Sequence, residues 1–180
     1  TYLWFCDEDY PRLGGKVKCN PSVKTANDRD ALIQGLADGV IDTIGSDHAP
    51  HLLSEKDATY FKAPSGLPTI QQSLPALLTI ATKNDIPLTQ IARAFSEKAA
   101  DLYGLKRGKI QKGYAADLVV FDLNKEFTVN AADIYSKCGW SPYEGETLKG
   151  YIETVFVNGE IALKEGKVTE TKAGRLLEFA

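Results

Sequence analysis

Asp47, His48 and His51 are the densest concentration of chemistry in the chain, set close together in Asp47-His48-Ala49-Pro50-His51. These histidines are the only 2 present. A carboxylate in such a cluster can ligate a metal ion, take a proton from a metal-bound water, or do both. The same residues also fit a plain turn, with the aspartate capping it and two surface imidazoles beside it. Ala49-Pro50 stiffens the passage, because proline fixes its own φ and restricts the residue before it.

An element must deliver these groups, and the residues before them suggest one. Val40 to Ile44 alternates apolar with polar or small residues, the pattern of a short buried strand that Gly45-Ser46 would end. A second short strand is expected over Lys16–Cys19, ending at Asn20-Pro21. Between them, Asn27 as N-cap and Gly39 as terminator predict a helix from about Asn27 to Asp38, with Ala31, Leu32, Gly35 and Leu36 on its apolar stripe. Strand, helix and strand would make a parallel β-α-β unit, with Asn20 and Asp47 on the same rim. Asn20 offers a donor and an acceptor together, which suits an amide or imide edge; an Asx-turn that shapes the loop is the competing reading.

Residues 52–67 form a long polar connection of the kind that covers a site. Within it Gly66 permits close backbone approach, so its amide could bind a ligand oxygen; an ordinary turn fits equally. A helix is expected from about Pro68 or Thr69 to Thr82, presenting Ile70, Leu74, Leu77, Leu78 and Ala81, with Pro75 kinking it or absorbed near its start. Leu88–Phe95 and Ser96–Gly104 read as two further helices, the second with Ser96 as N-cap. Thr1–Phe5 reads as a strand end, and Asp7–Tyr10 as one helical turn broken by Pro11. After Gly104 the composition shifts to short strands, with Val157-Asn158-Gly159-Glu160 as a hairpin signature, giving a small antiparallel sheet or sandwich. The tail from Arg175 to Ala180 is expected to add a last docked strand.

Composition narrows the classes. With 180 residues, 43% hydrophobic and 25% charged, the chain is an ordinary globular sequence. A net charge of -3 gives no electrostatic case for nucleic acid or an anionic membrane, and no apolar run reaches membrane-spanning length. Cys6, Cys19 and Cys138 form no CxxC pair, so reduced thiols in a cytoplasmic protein are expected. There is no methionine and the chain opens on the aromatic run Thr1-Tyr-Leu-Trp-Phe5, as expected for a piece of a longer polypeptide.

Taken together, Asp47-His48-Ala49-Pro50-His51, Asn20-Pro21, Glu55-Lys56 and Lys62-Ala63-Pro64-Ser65-Gly66 resemble the dihydroorotases of the amidohydrolase superfamily. Gly108 to Phe121 is similar to the G-x-I-x-x-G-x-x-A-D-L-V-V segment common in that superfamily. The likeness runs along essentially the whole chain. It implies an α/β fold: the C-terminal part of a (β/α)8 metal-dependent hydrolase barrel plus part of a small accessory β-sandwich. Residues 1–104 would carry the last barrel strands and helices, and 105–180 the C-terminal share of the sandwich.

Carried over by position, the resemblance implies that Asp47 is both the last metal ligand, on the more buried of two zinc ions, and the general acid/base. Asn20 would bind the substrate ring, His51 the substrate carboxylate, and Ser65 and Gly66 would contact substrate through their backbone. His48 is expected to be structural. The family's remaining ligands, a His-x-His pair, a carboxylated lysine and two further histidines, have no counterpart here, so the chain alone is expected to be inactive. The implied reaction is the reversible conversion of N-carbamoyl-L-aspartate to L-dihydroorotate, with a small-molecule substrate, no nucleic acid, no membrane, and a homodimer for the whole protein. A hydantoinase- or allantoinase-like cyclic amidase is the alternative, disfavoured by His51, which those relatives typically replace. An inactive dihydroorotase-like structural partner is the other.

Overall fold

The computed structural model describes residues 1–177 and 179. Helices occupy the first part of the chain: α1 (Tyr10–Leu13), α2 (Ala26–Ala37), α3 (Leu53–Lys56), α4 (Ser73–Lys83), α5 (Leu88–Ala92) and α6 (Lys98–Leu102). Strands β1 (Leu118–Thr128), β2 (Thr147–Val157), β3 (Glu160–Lys164) and β4 (Lys167–Val168) follow as one antiparallel sheet in the order β1-β2-β3-β4. Among the described residues this is the one sheet, without a second layer of strands.

The sheet is a meander made by local chemistry. β2 and β3 meet at Val157↔Glu160 across Asn158 (φ 49) and Gly159 (φ 85), the left-handed pair a two-residue hairpin needs. Glu165 (φ 50) and Gly166 (φ 74) repeat the device between β3 and β4. β1 is a single long strand where the sequence suggested two, and its pairing with β2 absorbs irregularities after Val120 and Asp122.

The two strands expected upstream do not form. Gly14–Val17 is a 3-10 turn, and residues 40–47 carry no ladder. Residues 40–44 alternate as a strand would, but a strand exists only against a partner. Here Ile44 N–H instead donates to the Ala94 carbonyl at 3.0 Å, and the only bridge nearby is His48↔Leu67, parallel and isolated. The β-α-β unit is therefore absent as a hydrogen-bonded sheet. Thr1–Phe5 is likewise a turn, with the Trp4 and Phe5 amides both on the Thr1 carbonyl. Pro11 does not break α1 but sits in its first turn, where no N–H is needed. Arg175–Leu177 and Phe179 are irregular rather than a docked strand, and the rest of that expectation lies outside the described residues.

Helix boundaries shift for identifiable reasons. The N-cap of α2 is two residues earlier than Asn27: Thr25 accepts from Asp28 N while Asp28 accepts from Thr25 N, a reciprocal capping box. Its inward residues are Leu36 and Ile33, whereas Leu32 is exposed. α4 buries nearly every residue from Pro75 to Ala81, because helices lie on one side of it and β2 on the other. Leu77, Ile80 and Ala81 pack with Leu36 and Ile91, while Leu78 meets Gly150 and Thr79 Oγ1 accepts from Lys149 N. Ile70 precedes the buried part and is exposed. Ser96 is not an N-cap: α5 continues through a π turn (Arg93–Glu97) into α6, which ends at Gly104 (φ 65).

One apolar cluster joins the two parts of the chain. Phe5, Val17, Cys19, Val23, Leu67 and Ala76 pack with Val129, Tyr143 and Leu148. It lies beneath the segments that carry Asn20 and Gly66.

Candidate active site

Two groups of the expected site residues emerge, each fastened by a different device. The first centres on Asn20 and Asp47, both exposed. The turn after Asn20 is pinned at the Pro21 carbonyl, which accepts from Tyr2 Oη at 2.6 Å and Cys19 Sγ at 3.2 Å. Burial pushes the Tyr2 phenol up, and the Cys19 thiol and the Asp47 carboxylate add to it. Asp47 therefore acts electrostatically on the Tyr2 phenol that pins the Pro21 carbonyl. Its backbone sits at φ 48, a left-handed conformation that aspartate tolerates better than bulky residues. Held strain of that kind clusters where side chains must point in an unusual direction.

The second group is His51, Ser65 and Gly66. His51 Nε2 lies 3.0 Å from the Ser65 carbonyl; a carbonyl only accepts, so Nε2 carries the proton. Nδ1 faces Glu55 Oε2 at 3.8 Å, and that carboxylate also caps the start of α3 by accepting from Leu52 N at 2.7 Å. Gly66 has φ 130, and a Cβ there would lie 2.6 Å from the Ala49 carbonyl and 3.2 Å from the His51 ring. Only glycine fits. The expectation that its amide binds a ligand needs correction: Gly66 N–H is already donated to the Lys18 carbonyl at 3.0 Å. What Gly66 contributes is closeness. Ser65, between two fixed neighbours, is exposed, and its carbonyl is the one that His51 Nε2 holds.

His48 serves the frame. Its Nδ1 accepts from the amides of Thr69 (3.1 Å) and Ile70 (3.2 Å), so the neutral ring carries its proton on Nε2. Thr69 Oγ1 donates to the Ser46 carbonyl at 2.7 Å, and Ala49 N to the Leu67 carbonyl at 3.1 Å. These bonds lace the Asp47–His51 segment to the strap before α4.

Two further residues matter that sequence reasoning passed over. Lys56 is only 1% exposed, and its ammonium donates to the carbonyls of Lys18 (3.1 Å), Pro64 (2.8 Å) and Gly66 (2.9 Å). Burial pushes it down from 10.5 to about 8. In the sequence it belongs to the Glu55-Lys56 pair that carries part of the resemblance, but nothing local tells of its burial or of the carbonyls it meets. Trp140 is buried and its indole N–H donates to the His51 carbonyl at 2.8 Å. The run Cys138-Gly-Trp-Ser-Pro-Tyr143 signalled an aromatic loop, but not its target.

A zinc pair does not fit the residues of this chain alone. Among the described residues, no three His, Cys, Asp or Glu side chains converge to hold a metal ion. His48 accepts two amides at its bare nitrogen and so has no lone pair to offer there, and no contact among the described residues brings Asp47 together with His51. Among the described residues, no helix is long and apolar enough to cross a membrane.

Comparison with known proteins agrees with this picture. Residues 14–162 match the amidohydrolase family. The chain is 39% identical over 167 residues to a dihydroorotase of Listeria innocua serovar 6a, covering 92% of this chain and 39% of that protein. It is 36% identical over 177 residues to a dihydroorotase of Methanosarcina acetivorans, covering 97% of this chain and 38% of the relative. In structure it superposes on an L-hydantoinase (dihydropyrimidinase) from Arthrobacter aurescens with a TM-score of 0.93 and 31% identity, over 98% of this chain and 41% of that one. A D-hydantoinase from Thermus sp. gives a TM-score of 0.85 at 26% identity, over 95% of this chain and 39% of that one. The chain thus spans about 39% of the length of the first of these relatives.

Proposed function

This chain belongs to the amidohydrolase family, and on that premise we propose that it is the substrate-facing C-terminal part of a hydrolase acting on cyclic amides. In this reading residues 1–104 complete a (β/α)8 barrel and 105–180 contribute to an accessory β-sandwich. The run 40–44 would become a barrel strand once its neighbours are supplied, placing Asp47 at the C-terminal rim where such barrels hold their chemistry.

The observation that carries the proposal is the meeting of His51 with the Ser65-Gly66 strap. It joins an imidazole N–H, the exposed Ser65 and a glycine-sized space in the segment that follows a carboxylate in a left-handed turn. That combination suits a small ring bearing a carboxylate. The imidazole would recognise the substrate carboxylate, exchanging the Ser65 carbonyl for it. Asn20 would pair with the ring amide, donor to acceptor and acceptor to donor. Asp47 would act on the proton: as water attacks the ring carbonyl carbon, the C–O bond forms, the C–N bond breaks, and the carboxylate moves the water's proton to the departing nitrogen.

The substrate we favour is L-dihydroorotate, opened reversibly to N-carbamoyl-L-aspartate, as in pyrimidine synthesis. Identities of 36–39% to dihydroorotases support it. The fit to an L-hydantoinase supports a second reading, a cyclic amidase for hydantoin-like rings. The two zinc ions that the family resemblance implies would take most of their ligands from the rest of the protein, with Asp47 the carboxylate contributed here. A cytoplasmic homodimer belongs to the same reading.

The test uses the full-length protein that contains this chain. Dihydroorotate is expected to turn over faster than hydantoin, and His51→Ala to raise KM for dihydroorotate by about tenfold or more, the loss of a charge-assisted contact. An unchanged KM would remove the carboxylate-recognition role and favour the hydantoinase reading. Zinc titrated into the isolated 180-residue chain is expected to show no stoichiometric site; tight binding with turnover would overturn the division of ligands.

A further inference from the structure

The lysine beneath the strap has a geometry that a structural filler does not need. An ammonium carries three N–H groups, and Lys56 directs all of them at backbone carbonyls: Lys18, Pro64 and Gly66. Two of these carbonyls flank Ser65 in sequence. The third, Lys18 O, also accepts the Gly66 amide and stands two residues before Asn20. One buried cation therefore sets the spacing between the strap and the segment that bears the asparagine. The site around it is closed: a Cβ on Gly15 would lie 2.5 Å from the Lys56 carbonyl and 2.9 Å from Ala63 Cβ.

We propose that Lys56 is a positioning residue for substrate recognition, clamping the carbonyls on both sides of Ser65 so that its backbone meets the ring at a fixed distance from Asn20. The inference rests on the reading of Ser65 and Asn20 as substrate contacts. Lys56 itself touches no substrate; it acts through the backbone it holds. An apolar side chain of equal length would fill the same space without the desolvation that weakens this ammonium. What it could not do is draw three carbonyls from two segments, the strap and the stretch before Asn20, onto one point. The nearest cation is Lys18, whose own Nζ is turned to the Tyr60 carbonyl at 2.8 Å and lies 5.1 Å from the Tyr60 ring centre, so it does not compete for the three acceptors.

The experiment compares wild type, Lys56→Met and Lys56→Gln in the full-length protein. Three quantities are read: KM and kcat for dihydroorotate, metal content, and hydrogen exchange at the Gly66 amide. Lys56→Met is expected to raise KM by about tenfold or more while kcat stays within about threefold, the signature of lost binding rather than lost chemistry. Metal content should equal wild type, and the Gly66 amide should exchange faster as its bond to Lys18 loosens. Lys56→Gln keeps two N–H donors and should give an intermediate KM, which also serves if the methionine variant does not fold. A merely structural lysine would lower the active fraction, so kcat would fall with KM unchanged; that result in either variant overturns the proposal. Exchange at Gly66 identical to wild type in a folded variant overturns it as well. No turnover by the wild-type protein would instead sink the functional reading itself, and is told apart by needing no variant at all.

Discussion

Residues 40–44 and β1 are written in much the same apolar, β-branched vocabulary, yet only β1 forms a ladder. The difference is where the partner comes from. β1 meets β2 in antiparallel register from Leu118↔Phe156 to Thr128↔Thr147, and tight turns carry the chain on to β3 and β4. The upstream stretch reads as a parallel strand, whose neighbours arrive through long crossovers. None pairs with it among the described residues, and Val40 is left 77% exposed. Strand character is therefore a property of a pair. One part of this molecule completes its pairs internally; the part bearing Asp47 does not.

Hydrogen exchange would put this contrast under the greatest strain. In the isolated chain, amides in the middle of β2 should exchange about 10³-fold or more slowly than those of residues 40–47, as cooperative ladders outlast single bonds. In the longer protein the gap should narrow. Equal rates in the isolated chain would break the comparison.

Titration of stability sharpens it at the next level. Lys56 has a folded value of about 8, below its ordinary 10.5. Between those values the unfolded chain binds more protons than the folded one, so stability should rise as pH increases through that window. At about 1.4 kcal/mol per pH unit, the gain is bounded at about 3 kcal/mol. Below about pH 8 the contribution is flat, because both states are charged. Chemical denaturation between pH 7 and 10.5 should show the rise in wild type and lose it in Lys56→Met.

Paired glycine substitutions give the smallest effect. Gly66→Ala meets the Ala49 carbonyl in an otherwise closed strap and should cost about 2–3 kcal/mol. Gly159→Ala carries the same conformational penalty at an open hairpin turn and should cost about 1 kcal/mol. Thermal unfolding orders the two; the reverse order would mean that the strap yields more easily than the turn.

The same contrast explains what could be read in advance. The Asn158-Gly159 hairpin was legible because its signal is local: two residues that accept left-handed backbone, flanked by β-formers. Gly104 as a helix terminator was legible for the same reason. The strands at 16–19 and 40–44 were misread because periodicity reports burial on a sheet without reporting whether the sheet is present. The helix start at Thr25 was missed in favour of Asn27, although the Thr25–Asp28 spacing carries the capping box. In the candidate site, the segment from Asp47 to His51 announced itself by composition. The encounter of His51 with Ser65 and Gly66 depends on a loop closure, and Lys56 sits at its centre in a stretch, Leu53-Ser-Glu-Lys56, that reads as solvated surface. No window of sequence records that the carbonyls of Lys18, Pro64 and Gly66 converge on one amine.

The indole of Trp140 holds the carbonyl of His51 across 89 positions of chain. The candidate recognition histidine is thereby moored from the far end of the polypeptide. Shortening the protein before that tryptophan would cut the mooring while sparing Asn20, Asp47, His51, Ser65 and Gly66, so the later part of the chain helps to hold the candidate site and is not a detachable appendage.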